Sequence, residues 1–74
     1  MREGELQRRV GRNLRAYREA RGLSQEKFAD NLGYHRTYVG GLERGERNLT
    51  LKAVERIASR LKLDPLELLH PPPR

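Results

Sequence analysis

Apolar residues recur at three- and four-residue spacing along most of the chain, in short segments separated by glycine or proline. From Glu5 to Arg21, Leu6, Val10, Leu14 and Tyr17 line one face of an amphipathic helix. The opposite side carries Arg8, Arg9, Arg12, Arg15, Arg18 and Arg21, expected to be mostly a solvated face. Gly22 follows the last periodic residue, where a left-handed cap is readily adopted. Met1–Gly4 is expected to be a frayed N-terminus.

Ser24 is a good N-cap, since its hydroxyl can accept from free amides of the following turn. The spacing predicts a second helix over Gln25–Leu32, burying Phe28, Ala29 and Leu32, with Gly33 ending it and Tyr34 in the turn. A third helix covers Arg36–Arg44, with Val39 and Leu42 facing inward and Gly45 as its stop. After the polar stretch Glu46–Leu49, Thr50 caps a fourth helix, Leu51–Lys62, whose inner face is Leu51, Val54, Ile57, Ala58 and Leu61. Asp64-Pro65-Leu66-Glu67 then carries a capping box with proline at the first helical position. A short fifth helix is expected over Pro65–His70, because Pro71, Pro72 and Pro73 prevent its continuation. The chain shows neither an internal repeat nor a strand pattern of useful length. The expected fold is all-α: five helices in one domain spanning residues 1–74, ending in a proline-rich tail at 71–74.

Composition narrows what such a domain does. There is no cysteine, so neither a disulfide nor a thiolate-bound zinc supplements the core. His35 and His70 are too sparse for a metal site of four nitrogen or sulfur ligands. No apolar run approaches the ~20 residues of a membrane span, and nothing near Met1 resembles a signal peptide. A cytoplasmic protein with no cofactor, no metal and no small-molecule ligand is expected. The formal net charge of +6 favours a polyanionic partner, although arginine outnumbers lysine so heavily that base composition of the gene offers another source. No nucleophile–base set or phosphate loop points to an enzyme.

Helix, short turn and helix is the arrangement that places a second helix in the DNA major groove while the first lies across the backbone. With Val39 and Leu42 inward, the residues expected to face outward are Arg36, Thr37, Gly40, Gly41 and Arg44. Arg36 and Thr37 stand at the N-terminal end, which meets base edges in this docking mode. Arginine can donate two hydrogen bonds to guanine, and threonine offers a methyl or a hydroxyl. Gly40 and Gly41 each cost about 0.5–1 kcal/mol against alanine inside a helix. Close approach of the backbone to DNA or to a neighbouring helix is the expected return.

The stretch SQEKFADNLGYHRTYVGGLERGERNLTL resembles the helix-turn-helix of the phage-repressor-like (Cro/C1 or Xre type) family. HRTYVGGLERGERNLTL resembles, more narrowly, the controller proteins of restriction–modification systems. The family likeness runs from about Val10 to Leu69. It implies a lambda-repressor-like fold, double-stranded DNA as partner, and a transcriptional regulator acting on its own promoter. By that likeness Arg36 and Thr37 read bases, Gln25 contacts the backbone or an outer base, and Tyr38, Arg44, Arg47 and Asn48 contact the backbone; Gly40 and Gly41 are expected to join the base-reading face through close approach of the helix. Arg18 and Glu43 match an ion pair tying the first helix to the recognition helix. The family mostly works as two-fold dimers on near-palindromic sites, which implies a homodimer here through Leu63, Leu66 and Leu69. Leu68 shares that apolar C-terminal run. Position 35 is usually serine, threonine or aspartate in the family, so His35 is expected to be a weak cap. Position 40 is usually serine in the controllers, so Gly40 removes a hydroxyl. An antitoxin, another Xre-type repressor, or a helical protein-interaction module fits the same pattern. Sequence preference and salt dependence separate them. An RNA reader is less well matched, with only Phe28 and three tyrosines to stack on bases.

Overall fold

The computed structural model describes residues 1–71; Pro72, Pro73 and Arg74 of the expected tail lie outside the described residues. Four α-helices follow one another: α1 Glu5–Ala20, α2 Gln25–Leu32, α3 Arg36–Glu43 and α4 Leu51–Leu61. The expected fifth helix is a single 3-10 turn, Pro65–Leu68. Its start is as the residues dictate: Asp64 Oδ1 accepts from the Leu66 amide at 2.9 Å, and the Asp64 amide donates to Glu67 Oε2 at 3.2 Å. The Leu69 amide then donates to the Leu66 carbonyl, an i to i−3 bond, and Pro71 leaves no room for the wider α-helical ladder.

α2 and α4 begin on the capping residues that the pattern marks. Ser24 Oγ accepts from the Lys27 amide at 3.1 Å, and Thr50 Oγ1 from the Ala53 amide at 3.0 Å. The chain ahead of α1 forms a turn instead of an unstructured lead: the Glu5 amide donates to the Arg2 carbonyl at 3.0 Å. At the far end of α4, Lys62 adopts the left-handed conformation at φ 58°, so the helix stops one residue earlier than its apolar pattern suggests.

Val10, Leu14, Phe28, Ala29, Leu32, Val39, Leu42, Val54, Ile57, Ala58 and Leu68 form one core to which every helix contributes. Phe28, fully buried, is stabilised by about 1.5–3 kcal/mol from its burial. Leu51 is an exception to the expected inner face of α4, at 77% exposed. It occupies the first helical position, before the apolar stripe has turned inward. The backbones of α1 and α3 meet at Gly11. A Cβ there would overlap the Leu42 carbonyl oxygen and lie 2.8 Å from that of Glu43, so only glycine admits this approach. Among the described residues no helix is long and apolar enough to cross a membrane, and no three acidic or histidine side chains gather as a metal site.

Candidate nucleic-acid interface

The angle between α2 and α3 is set by three residues, Gly33 to His35. Gly33 takes φ 78° and ψ 26°, a conformation that a side chain would strain, and it lets the chain double back immediately. The Tyr34 amide reaches back to the Ala29 carbonyl at 2.9 Å and the Gly33 amide to that of Asp30 at 3.2 Å. Tyr34 and Tyr38 then pack ring against ring across the turn, with centroids 4.8 Å apart. The Tyr34 hydroxyl accepts from Arg56 of α4 at 3.2 Å.

Beneath the turn lies a charged network joining three helices. Arg18 of α1 meets Glu43 of α3 in two hydrogen bonds, Nε to Oε2 at 2.8 Å and Nη2 to Oε1 at 3.1 Å. Arg18 also donates to the Leu23 carbonyl at 2.9 Å, which fixes the loop before α2. Gln25 of α2 donates its amide to Glu43 Oε1 at 3.1 Å. Gln25, expected at the DNA backbone, is thus a half-buried part of this network. The Glu43 hydrogen bond holds the Arg18 guanidinium above its ordinary pKa, against the opposing effect of burial and with further help from the charges of Glu43 and Glu19.

Arg36 and Thr37 stand exposed on the first turn of α3. The side chain of Arg36 makes no hydrogen bond or ion pair among the described residues, so its guanidinium is available. The turn they stand on is capped by an unexpected group. His35, by composition a poor cap, accepts the Thr37 amide on ring Nδ1 at 3.1 Å.

Gly40 and Gly41, expected on the outward face, are buried. Side chains cover them: a Cβ on Gly40 would lie 3.2 Å from Arg44 Nη1 and 3.7 Å from Gln25 Oε1. One on Gly41 would lie 2.8 Å from Arg47 Nε and 3.3 Å from its Cγ. The close approach these glycines permit is therefore to the protein's own side chains. Over Gly41 the Arg47 guanidinium reaches the ring of Tyr38, 5.1 Å from its centroid. Arg44 forms an exposed pair with Glu46 at 3.1 Å, a contact of the kind worth only about 0–1 kcal/mol and readily exchanged for a phosphate.

Gln7 was not legible as part of this surface. From α1 its amide nitrogen donates to the Arg47 carbonyl at 2.6 Å and to Asn48 Oδ1 at 2.9 Å, fastening the loop after α3. A polar residue on an otherwise arginine-rich helix face carries no sequence signal for a partner so distant in the chain. Arg36, Thr37 and Tyr38 form the first turn of α3, and Arg44, Arg47 and Asn48 follow its C-terminal end. Replacing Arg47 with alanine is expected to weaken binding to selected and random duplexes alike and to reduce the log–log salt slope by about 1. Anisotropy titrations at several salt concentrations would measure it. A loss confined to one duplex would contradict a phosphate role.

A family model described as helix-turn-helix (HTH_3) matches residues 14–68. The chain is 43% identical over 60 residues to the control protein C.SmaI of Serratia marcescens, covering 81% of this chain and 71% of that protein. Its structure is similar to that of the restriction–modification controller protein C.AhdI from Aeromonas hydrophila, with a TM-score of 0.76 and 41% identity over 92% of this chain and 99% of the other. It is similar also to a hypothetical transcription factor from Neisseria, NHTF, with a TM-score of 0.81 and 36% identity over 97% and 83% of the two chains.

Proposed function

We propose, from the premise that this chain belongs to the helix-turn-helix family, that it controls a restriction–modification system by binding DNA at its own promoter. It is a DNA-binding transcriptional regulator, and the finer assignment concerns what it reads and how it assembles. The observation that carries the reading is the free guanidinium of Arg36 beside Thr37 on a capped, solvent-facing helix start. Among the described residues no interior contact uses these groups, and a major groove offers the acceptors and methyls they match. Arg44, Arg47, Asn48 and the Tyr38 hydroxyl grip phosphates on either side, which fixes register without reading sequence. Gly40 and Gly41 contribute by leaving space for Gln25, Arg44 and Arg47 instead of by touching bases.

The regulator acts as a homodimer on a near-palindromic operator, its two α3 helices about one DNA turn, roughly 34 Å, apart. The C-terminal segment supports this reading. Leu68 is buried, Leu63 and Leu69 are partly buried against the core, and Leu66 stands 61% exposed. Leu66 is then the centre of the self-complementary patch and the other two form its base. Leu66→Asp is expected to shift sedimentation at tens of micromolar from dimer to monomer while the helical circular dichroism stays intact. A wild-type protein that sediments as a monomer would refute the dimer.

The test of the function is a fluorescence-anisotropy titration of the DNA upstream of the protein's own gene against a shuffled duplex, at several salt concentrations. Strong preference for the upstream DNA is expected. Equal, salt-sensitive binding to both would move the operator elsewhere, and absence of binding at low salt would refute DNA recognition.

A further inference from the structure

His35 caps α3 through a ring nitrogen, and a ring nitrogen accepts a hydrogen bond only while it is unprotonated. The geometry therefore fixes the tautomer: Nδ1 bears the lone pair turned to the Thr37 amide and Nε2 bears the proton. The amides of Tyr38 and Val39 do not need the ring, since both donate to the His35 carbonyl, at 3.0 and 3.2 Å. The imidazole thus serves one donor, the amide of Thr37, beside the residues proposed to meet base edges.

We infer that His35 is a positioning residue for base reading, and that neutral imidazole is the state in which the protein discriminates between DNA sequences. The inference rests on the reading of α3 given above. When the ring takes up a proton, both nitrogens become donors, and the Thr37 amide loses its acceptor. A positive charge then faces the positive end of the α3 dipole, a second unfavourable consequence at the same point. The first turn loosens, and Arg36 and Thr37 lose the fixed stance that base contacts require.

The same proton has the opposite effect on indifferent binding. An added positive charge on an exposed side chain attracts phosphate whatever the sequence. Acid is therefore predicted to lower the ratio of specific to random affinity, with random affinity held or raised.

The surroundings of His35 leave the ring open to this exchange. Glu26 and Asp30 of α2, Tyr34 of the turn and Arg36 of α3 line the same groove. Arg56 of α4 approaches through the Tyr34 hydroxyl. None of these replaces the lost acceptor at Thr37.

Asparagine separates this role from every other acid effect, because its side-chain oxygen caps a helix at any working pH. The experiment compares the wild type with His35→Asn, using a duplex enriched by the wild type from a randomised library and a shuffled duplex. Anisotropy titrations at about pH 7.5 and about pH 5.5 span the range in which an ordinary imidazole takes up its proton. The wild-type preference is expected to fall by about two- to thirtyfold, the span of a lost N-cap contact, while that of His35→Asn stays level. His70 is present in both proteins and cannot account for the difference. In the free protein, the Thr37 amide resonance should follow the same titration in the wild type alone. A wild-type preference that ignores pH, or an equal fall in His35→Asn, overturns the inference alone. No preference at either pH overturns the reading of the interface, and this inference with it.

Discussion

Replacing Glu43 with alanine is expected to cost the fold about 3–5 kcal/mol, because it leaves the Arg18 guanidinium buried without its counter-charge. The side chains of the pair are only 14% and 4% exposed, so solvent does little to replace what is removed. Gln25 loses its acceptor in the same step. A domain of 74 residues is worth only about 4–11 kcal/mol in all, so the variant should lie at the edge of folding. Urea denaturation would read the loss as a lower midpoint at similar slope. The double variant Arg18→Met, Glu43→Leu should recover much of it, since removing both charges strands neither. A single variant within about 1 kcal/mol of the wild type would show that the pair is no keystone. The pH dependence has a definite sign on the arginine side. A guanidinium whose pKa is raised on folding contributes its full stabilisation below its ordinary value and loses it only as pH climbs through the raised one, far above neutrality.

Arg36→Ala is expected to cost about 1–3 kcal/mol on the enriched duplex and little on a shuffled one. The two hydrogen bonds an arginine gives to guanine are lost only where guanine is present, whereas phosphate attraction falls equally everywhere. Arg36 is exposed and sits outside the core, so the melting temperature should not move. Discrimination should relax chiefly at one base-pair position of the half-site, which selection from a randomised library with the variant would reveal. Equal losses on both duplexes would remove Arg36 from base reading.

The helices were legible in the chain because burial and capping both act locally. The apolar stripe of α4 and the caps Ser24, Thr50 and Asp64 each lie within a turn of what they determine. Gly33 marked the turn, and it takes the left-handed conformation there. The Arg18–Glu43 contact came instead from likeness to a family; nothing in the spacing of two residues so far apart shows it. What stayed hidden depends on distant side chains. Glycine has no side chain to reveal a face, so Gly40 and Gly41 read as outward until Gln25, Arg44 and Arg47 are placed over them. Gly11 drew no notice for the same reason, although the packing of α1 on α3 passes through it. The fifth helix was expected to be longer because a capping box announces a beginning and says nothing about length. His35 read as a poor cap because serine, threonine, aspartate and asparagine are the common caps. Here its ring Nδ1 nevertheless accepts the Thr37 amide.

The bond from Gln7 to the loop after α3 ties two parts of the chain that open on different terms. A helix end is the least protected part of a fold, and α1 begins on Gly4, which has no side chain to hold its first amides. Each brief opening of that end frees the Arg47 carbonyl and Asn48 together with Gln7. The loop proposed to grip phosphate therefore inherits its lifetime from a helix terminus 40 positions earlier in the chain. Deuterium uptake at the start of α1 and at Arg47–Asn48 should rise and fall as one unit, and bound DNA should slow both.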